Sequence, residues 1–149
     1  MKTFIFILAI VLVVAVLWLR FGPHDVDAWH VDPGDADESE RAQVRLIGAE
    51  APRFPTDVDT LLGKVSEIAK SEPRTKVLEG DSDEGMITFV AYSIVGFRDY
   101  ITVKAVAEAG GLTKLAIASR SRSPVGYDWG VNAARIDRWL EELKETFPG

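Results

Sequence analysis

Apolar residues fill the start of the chain without interruption. Thr3 to Leu19 reads TFIFILAIVLVVAVLWL, and no charge falls between Lys2 and Arg20. At 1.5 Å per residue that run makes a helix of about 26 Å, near the short end of what crosses a bilayer core. Lys2 and Arg20 stand where cationic side chains snorkel, and Trp18 where an interfacial aromatic falls. The run exceeds the ~7–15-residue apolar stretch of a cleaved signal peptide, and LWLRFGPH offers no small-x-small cleavage site. The pattern therefore predicts an uncleaved transmembrane anchor over residues 1–21, with the bilayer as partner through residues 3–19. The terminal amine and Lys2 outweigh Arg20 alone, so the positive-inside rule places the N-terminus in the cytoplasm. In a bacterium this describes a single-pass inner-membrane protein of the cell envelope with its C-terminal part in the periplasm.

The pattern then turns polar. Residues 22–54 carry Pro23, Pro33 and Gly34, and GPHDVDAWHVDPGDADESE is rich in acids, with no Lys or Arg before Arg41. Low hydrophobicity with one-signed charge does not offset the entropy of ordering, which predicts a largely irregular acidic linker. Trp29 and Val31 are the two residues in it suited to docking as an edge segment.

Periodicity returns in residues 55–149. Val58, Leu61, Leu62, Val65, Ile68 and Ala69 fall at helical spacing behind a cap at Thr56 or Asp57. Thr75–Glu79, Met86–Val95, Tyr100–Ala107 and Leu112–Arg122 read as strands, with Gly110-Gly111 as a hairpin turn. Asn132 is placed to cap a last helix whose apolar stripe is Ile136, Trp139, Leu140, Leu143 and Phe147, with Val131 and Ile136 as a hydrophobic staple. The predicted fold class is α+β: after the anchor, α-β-β-β-β-α with a four-stranded antiparallel sheet covered on one face by two helices.

Composition narrows the function. A formal net charge of -6 argues against nucleic-acid binding. The absence of cysteine excludes disulfides, thiolate metal sites, a thiol nucleophile and an acylated cysteine. His24 and His30 lie in the acidic stretch and read as solvated rather than as metal ligands. Asp81-x-Asp83 with Gly85 lacks the remaining ligands of a calcium loop and reads as a turn. No metal or cofactor is called for, and Ser121 has neither a nucleophile elbow nor a nearby histidine in sequence.

Candidate chemistry concentrates at Arg98-Asp99 and in the stretch from Ser119 to Asn132, which runs from a strand end through a glycine-rich loop into a helix. Helix N-termini attract anions, so Arg98, Asp99, Arg120, Ser121, Arg122, Gly126, Asp128, Gly130, Asn132 and Arg135 are candidates for binding an anion or a partner. Arg135 lies in the first helical turn, where the dipole disfavours a cation. Either a bound anion or an ion pair with Asp128 or Asp99 offsets this, and the proximity of two acids favours the ion pair.

SRSRSPVGYDWGVNAARIDRWLEEL resembles the closing motif of the family known as domain of unknown function 1499. Arg120, Ser121, Ser123, Gly126, Asp128, Gly130, Asn132 and Arg135 match its pattern, while Pro124 stands where that pattern has an arginine. Gly96-Phe97-Arg98-Asp99 and Trp29-His30-Val31-Asp32-Pro33 are similar to its other recurrent segments. The resemblance implies a domain over most of residues 29–147 and no particular activity. Three functional classes are carried forward: a non-enzymatic membrane-tethered binding or assembly module with another envelope protein as partner, a receptor for a small anionic ligand or lipid headgroup, and an enzyme using Asp99 and Asp128.

Overall fold

The computed structural model describes residues 1–36, 44–122 and 129–149. The apolar run forms one helix, α1 (Lys2–Phe21), with no buried residue. Its mean hydropathy reaches 2.9, and among the described residues it is the helix long and apolar enough to cross a membrane, a test that a signal sequence also meets. A short helix, α2 (Val26–Trp29), follows, capped by the Asp25 carboxylate on Ala28 N–H.

The helix α3 (Val58–Ser71) starts where the sequence predicts. Asp57 accepts from Thr60 N–H at 2.9 Å and from the Thr60 hydroxyl at 2.8 Å, satisfying an otherwise orphaned donor. Its buried residues are Leu61, Leu62, Val65, Ile68 and Ala69. The strands β3 (Thr75–Asp81), β4 (Met86–Tyr92), β5 (Arg98–Glu108) and β6 (Leu112–Ser121) then form an antiparallel meander. Gly110 and Gly111 take φ values of 79° and 75° at the tip of the last hairpin, a region that costs a glycine nothing.

Among the described residues the sheet has six strands, not the expected four. The two additional ones are β1 (Val44–Leu46) and β2 (Arg53–Phe54), both from the stretch read as irregular linker, and both pair antiparallel with β6. At three and two residues they are too short to show an alternating pattern. Pairing exists because β6 would otherwise leave a row of open backbone groups at the sheet edge. Phe54 is buried and meets Phe147 edge-on, with ring centroids 6.4 Å apart.

The last helix, α4 (Val131–Thr146), begins two residues earlier than an Asn132 cap implies. Its N-cap is Gly130, in the left-handed region at φ 76°, and Val131 is exposed, so the predicted staple with Ile136 does not form. Ile136, Trp139 and Leu143 are buried as expected, while Leu140 and Phe147 pack at the margin of the core. Both α3 and α4 lie on one sheet face, against Ile87, Phe89, Ile101, Val103, Leu115 and Ile117. Trp139 meets Phe89 edge to face, the centroids 5.7 Å apart.

The second face is also covered. Thr88, Tyr92, Tyr100, Thr102 and Arg120 point away from the helices, since side chains alternate along a strand. Residues 22–36 lie across them, bonded at several points described below.

Candidate functional site

Strand alternation divides the four candidates that lie on strands, Arg98, Asp99, Arg120 and Ser121, between the two sheet faces. Arg98 and Asp99 are consecutive in β5 and must point oppositely. Asp99 pairs in register with Ser121, and Tyr100 with Arg120. Asp99 and Ser121 therefore share the helix side with Asn132 and Arg135, whereas Arg98 and Arg120 share the other side. Gly126 and Asp128 lie outside the described residues.

On the helix side, Asn132 is fully buried inside α4 rather than capping it. Its Oδ1 accepts from the Ser119 hydroxyl at 2.6 Å and from Arg135 Nη1 at 2.8 Å. Arg135 Nη2 donates to Asp99 Oδ2 at 3.1 Å, and its Nε lies 3.6 Å from Glu72 Oε2. Glu72 also accepts from Arg138 at 2.8 Å. The cation in the first turn of α4 is thus offset by carboxylates from β5 and from the end of α3, the ion-pair reading with Asp99 as partner. Asp99 and Arg135 border an open groove of about 720 Å³ between the end of α3 and the Ser93–Val95 turn.

On the second face, Arg98 is 4% exposed and reaches the end of α1. Its Nε donates to Leu19 O at 2.8 Å, Nη1 to Pro23 O at 2.9 Å and Nη2 to Gly22 O at 2.6 Å. The last carbonyls of a helix lack partners within it and carry the negative end of its dipole, so a guanidinium is well matched to them. Gly22 itself lies close against this group: a Cβ there would stand 2.4 Å from Trp18 O and 3.5 Å from Arg98 Nη2.

The segment after α1 continues this attachment. His24 sits between two phenols, with Nε2 2.9 Å from the Tyr92 hydroxyl and Nδ1 3.1 Å from that of Tyr100. Burial, then the positive charges of Arg98, Lys76 and Arg122, hold its pKa below the usual 6.5, favouring the neutral ring. Trp29 stacks on Tyr100 at 4.0 Å and an interplanar angle of 10°. The Arg120 guanidinium lies 4.9 Å from the Trp29 ring centroid and donates to Trp29 O at 2.6 Å. His30 bridges Thr88 Oγ1 at 2.8 Å and Glu84 Oε1 at 2.9 Å. Lys104 pairs with Asp32, whose partial burial opposes ionisation but whose hydrogen bonds from Lys104 and Gly34 hold its carboxyl below the usual range. The two histidines expected to be solvated are therefore structural contacts between this segment and the sheet. Their docking partners are more than fifty residues away in sequence, beyond the reach of composition.

A second cavity, about 390 Å³, opens beside the end of α1 and is lined by Arg20, Phe21, Lys70, Glu72, Arg74, Thr75, Lys76 and Tyr92. Arg20 apart, its cations are not among the sequence candidates, although Lys70, Arg74 and Lys76 fall within one seven-residue stretch. Among the described residues no group of three metal-ligating side chains comes together. Asp81 accepts from Glu84 N–H at 2.9 Å in a tight turn.

These features define a helix-backed antiparallel-sheet domain joined to an apolar helix by a buried arginine. The chain belongs to the family described as "Protein of unknown function (DUF1499)", which matches residues 24–143. That match begins at His24 and so includes the segment crossing the second face. Among curated proteins none matches. The crystal structure of CalU16 from Micromonospora echinospora is similar at 16% identity, over 72% of this chain and 94% of that one, with a TM-score of 0.39. At that level the likeness carries no functional argument.

Proposed function

We propose that this chain is a non-enzymatic, membrane-tethered binding module of the cell envelope, held rigidly against the bilayer surface rather than swinging on a linker. The observation that carries the reading is the Arg98 clamp, which joins a buried guanidinium of the sheet to three carbonyls at the end of α1. A removable signal sequence has no need of such a joint, whereas a working anchor does. The His24, Trp29 and His30 contacts extend the attachment over the second sheet face. With α1 in the membrane, the positive-inside rule puts the domain on the periplasmic side of a bacterial inner membrane. Arg98, Arg120 and Arg135 already serve contacts within the protein, so the recognition surface is sought elsewhere on the domain.

The test uses the full chain in lipid vesicles. Because no native cysteine competes, Glu145→Cys gives a single site for a spin label at the end of α4. Resistance to alkaline extraction and one narrow distribution of label-to-bilayer distances are expected. A chain released by alkali ends the anchor reading, and a broad distribution ends the rigid attachment.

A further inference from the structure

We infer that the basic cavity at the end of α1 binds the phosphate headgroup of an anionic phospholipid drawn from the bilayer that holds α1. The inference rests on the anchor reading above and goes beyond it by assigning a ligand.

Position is the first argument. Arg20 and Phe21 are the last two residues of α1 and form one wall of the cavity. If α1 spans the bilayer, this wall lies at headgroup depth, where snorkelling cations and aromatic rings concentrate. Lys70 at the end of α3, Glu72 and Arg74 between α3 and β3, Thr75 and Lys76 at the start of β3, and Tyr92 at the end of β4 form the remainder.

Charge is the second. In a chain of formal net charge -6, this cavity gathers four cations, Arg20, Lys70, Arg74 and Lys76, against one carboxylate. That carboxylate, Glu72, is committed to Arg138 at 2.8 Å and also lies near Arg135. None of the four cations forms an ion pair among the described residues. Lys70 and Lys76 are exposed, and like charges so placed repel one another unless an anion lies between them.

Preorganisation is the third. Arg74 occupies the left-handed backbone region at φ 57°, an uncommon conformation outside glycine. Its Nε donates to Tyr92 O at 2.9 Å, and Tyr92 N–H donates back to Arg74 O at 2.9 Å. The guanidinium is thereby fixed by one nitrogen, and its two terminal nitrogens are left to a ligand, a geometry suited to bidentate phosphate binding. Lys76 Nζ lies 5.6 Å from the Tyr92 ring centroid, which steadies a second cation on the same wall. A volume of about 390 Å³ admits a phosphoglycerol-sized headgroup while the acyl chains remain in the bilayer beside α1.

The experiment places the full chain in nanodiscs of phosphatidylcholine alone or with phosphatidylglycerol, and measures lipid selectivity by native mass spectrometry together with thermal stability. Retention of one phosphatidylglycerol and stabilisation in the anionic discs are expected. Each cation near an anionic surface contributes about fivefold in affinity, so Lys70→Gln with Lys76→Gln should weaken retention about 25-fold. Both residues are exposed and leave the core untouched, and Lys144→Gln at the far end of α4 controls for general charge. Equal losses from Lys144→Gln, or no preference for phosphatidylglycerol, overturn the inference. Equal stabilisation by glycerol phosphate in phosphatidylcholine discs assigns the cavity to a free anion and overturns the lipid source. A chain that inserts but shows no preference sinks this inference alone, whereas a chain that fails to insert sinks the anchor reading.

Discussion

Replacing Arg98 with Met tests the joint between anchor and domain most directly. Methionine keeps much of the apolar stem and removes the guanidinium, so packing changes little while three charged donors disappear. The losses are the bonds to Leu19 O at 2.8 Å, Pro23 O at 2.9 Å and Gly22 O at 2.6 Å. The guanidinium also lies 5.9 Å from the Tyr92 ring centroid, a smaller contribution. A hydrogen bond from a charged donor contributes about 1.5–3 kcal/mol. Pro23 is exposed and Gly22 half-buried, so water replaces part of what is lost. A net loss of about 3 kcal/mol follows, roughly one full bond plus partial losses from the others. Every 1.4 kcal/mol is a factor of about ten in an equilibrium constant, so local opening should become about 100-fold more frequent. Hydrogen–deuterium exchange on the full chain in nanodiscs reads this directly at the amides of residues 22–30. The rest of the sheet should keep its protection. Exchange within about threefold of wild type would refute the clamp, and uniform loss of protection would mean that Arg98 acts on the whole fold.

Two further outcomes follow from the same contacts. Asn132→Ala deletes the acceptor shared by Ser119 and Arg135, both at fully or largely buried positions, and should cost about 2–3 kcal/mol in chemical denaturation, with an unchanged midpoint counting against the network. His24 has a folded-state pKa held below 6.5 by burial and by Arg98, Lys76 and Arg122, so as pH falls the unfolded chain takes up the proton first. Stability is therefore fully present above about 6.5 and declines as pH drops below it, and His24→Gln should flatten that dependence in denaturation midpoints taken between about pH 8 and 5.

Short-range chemistry specifies much of this fold. An unbroken apolar run specifies α1, because a helix satisfies its own backbone within the segment. Asp57 ahead of a helical stripe specifies the start of α3, and paired glycines the β5–β6 hairpin. The ion pair between Arg135 and Asp99 was also within reach, since a cation in a first turn calls for a compensating acid. Arg98 and Asp99 illustrate the boundary. As sequence neighbours they form one candidate cluster, but as part of β5 they are sent to opposite faces. Asn132 is similar: its residue type suits a cap, yet Gly130 takes that place and Asn132 turns inward to Ser119 and Arg135.

Sequence alone determined where the apolar helix lies, where α3 begins and where the β5–β6 hairpin turns, because each depends on neighbours within a few positions. Tertiary structure decided the rest. The linker-like stretch gains order because β6 lends Val44–Leu46 and Arg53–Phe54 a backbone partner and because Tyr100, Thr88 and Arg98 hold Trp29, His30 and the end of α1. The partners of Arg98 lie 75 to 79 residues away, so its meaning comes from chain closure rather than local pattern. Lys70 and Lys76 become one basic cavity with Arg20 for the same reason: folding brings the end of the apolar helix to the start of β3.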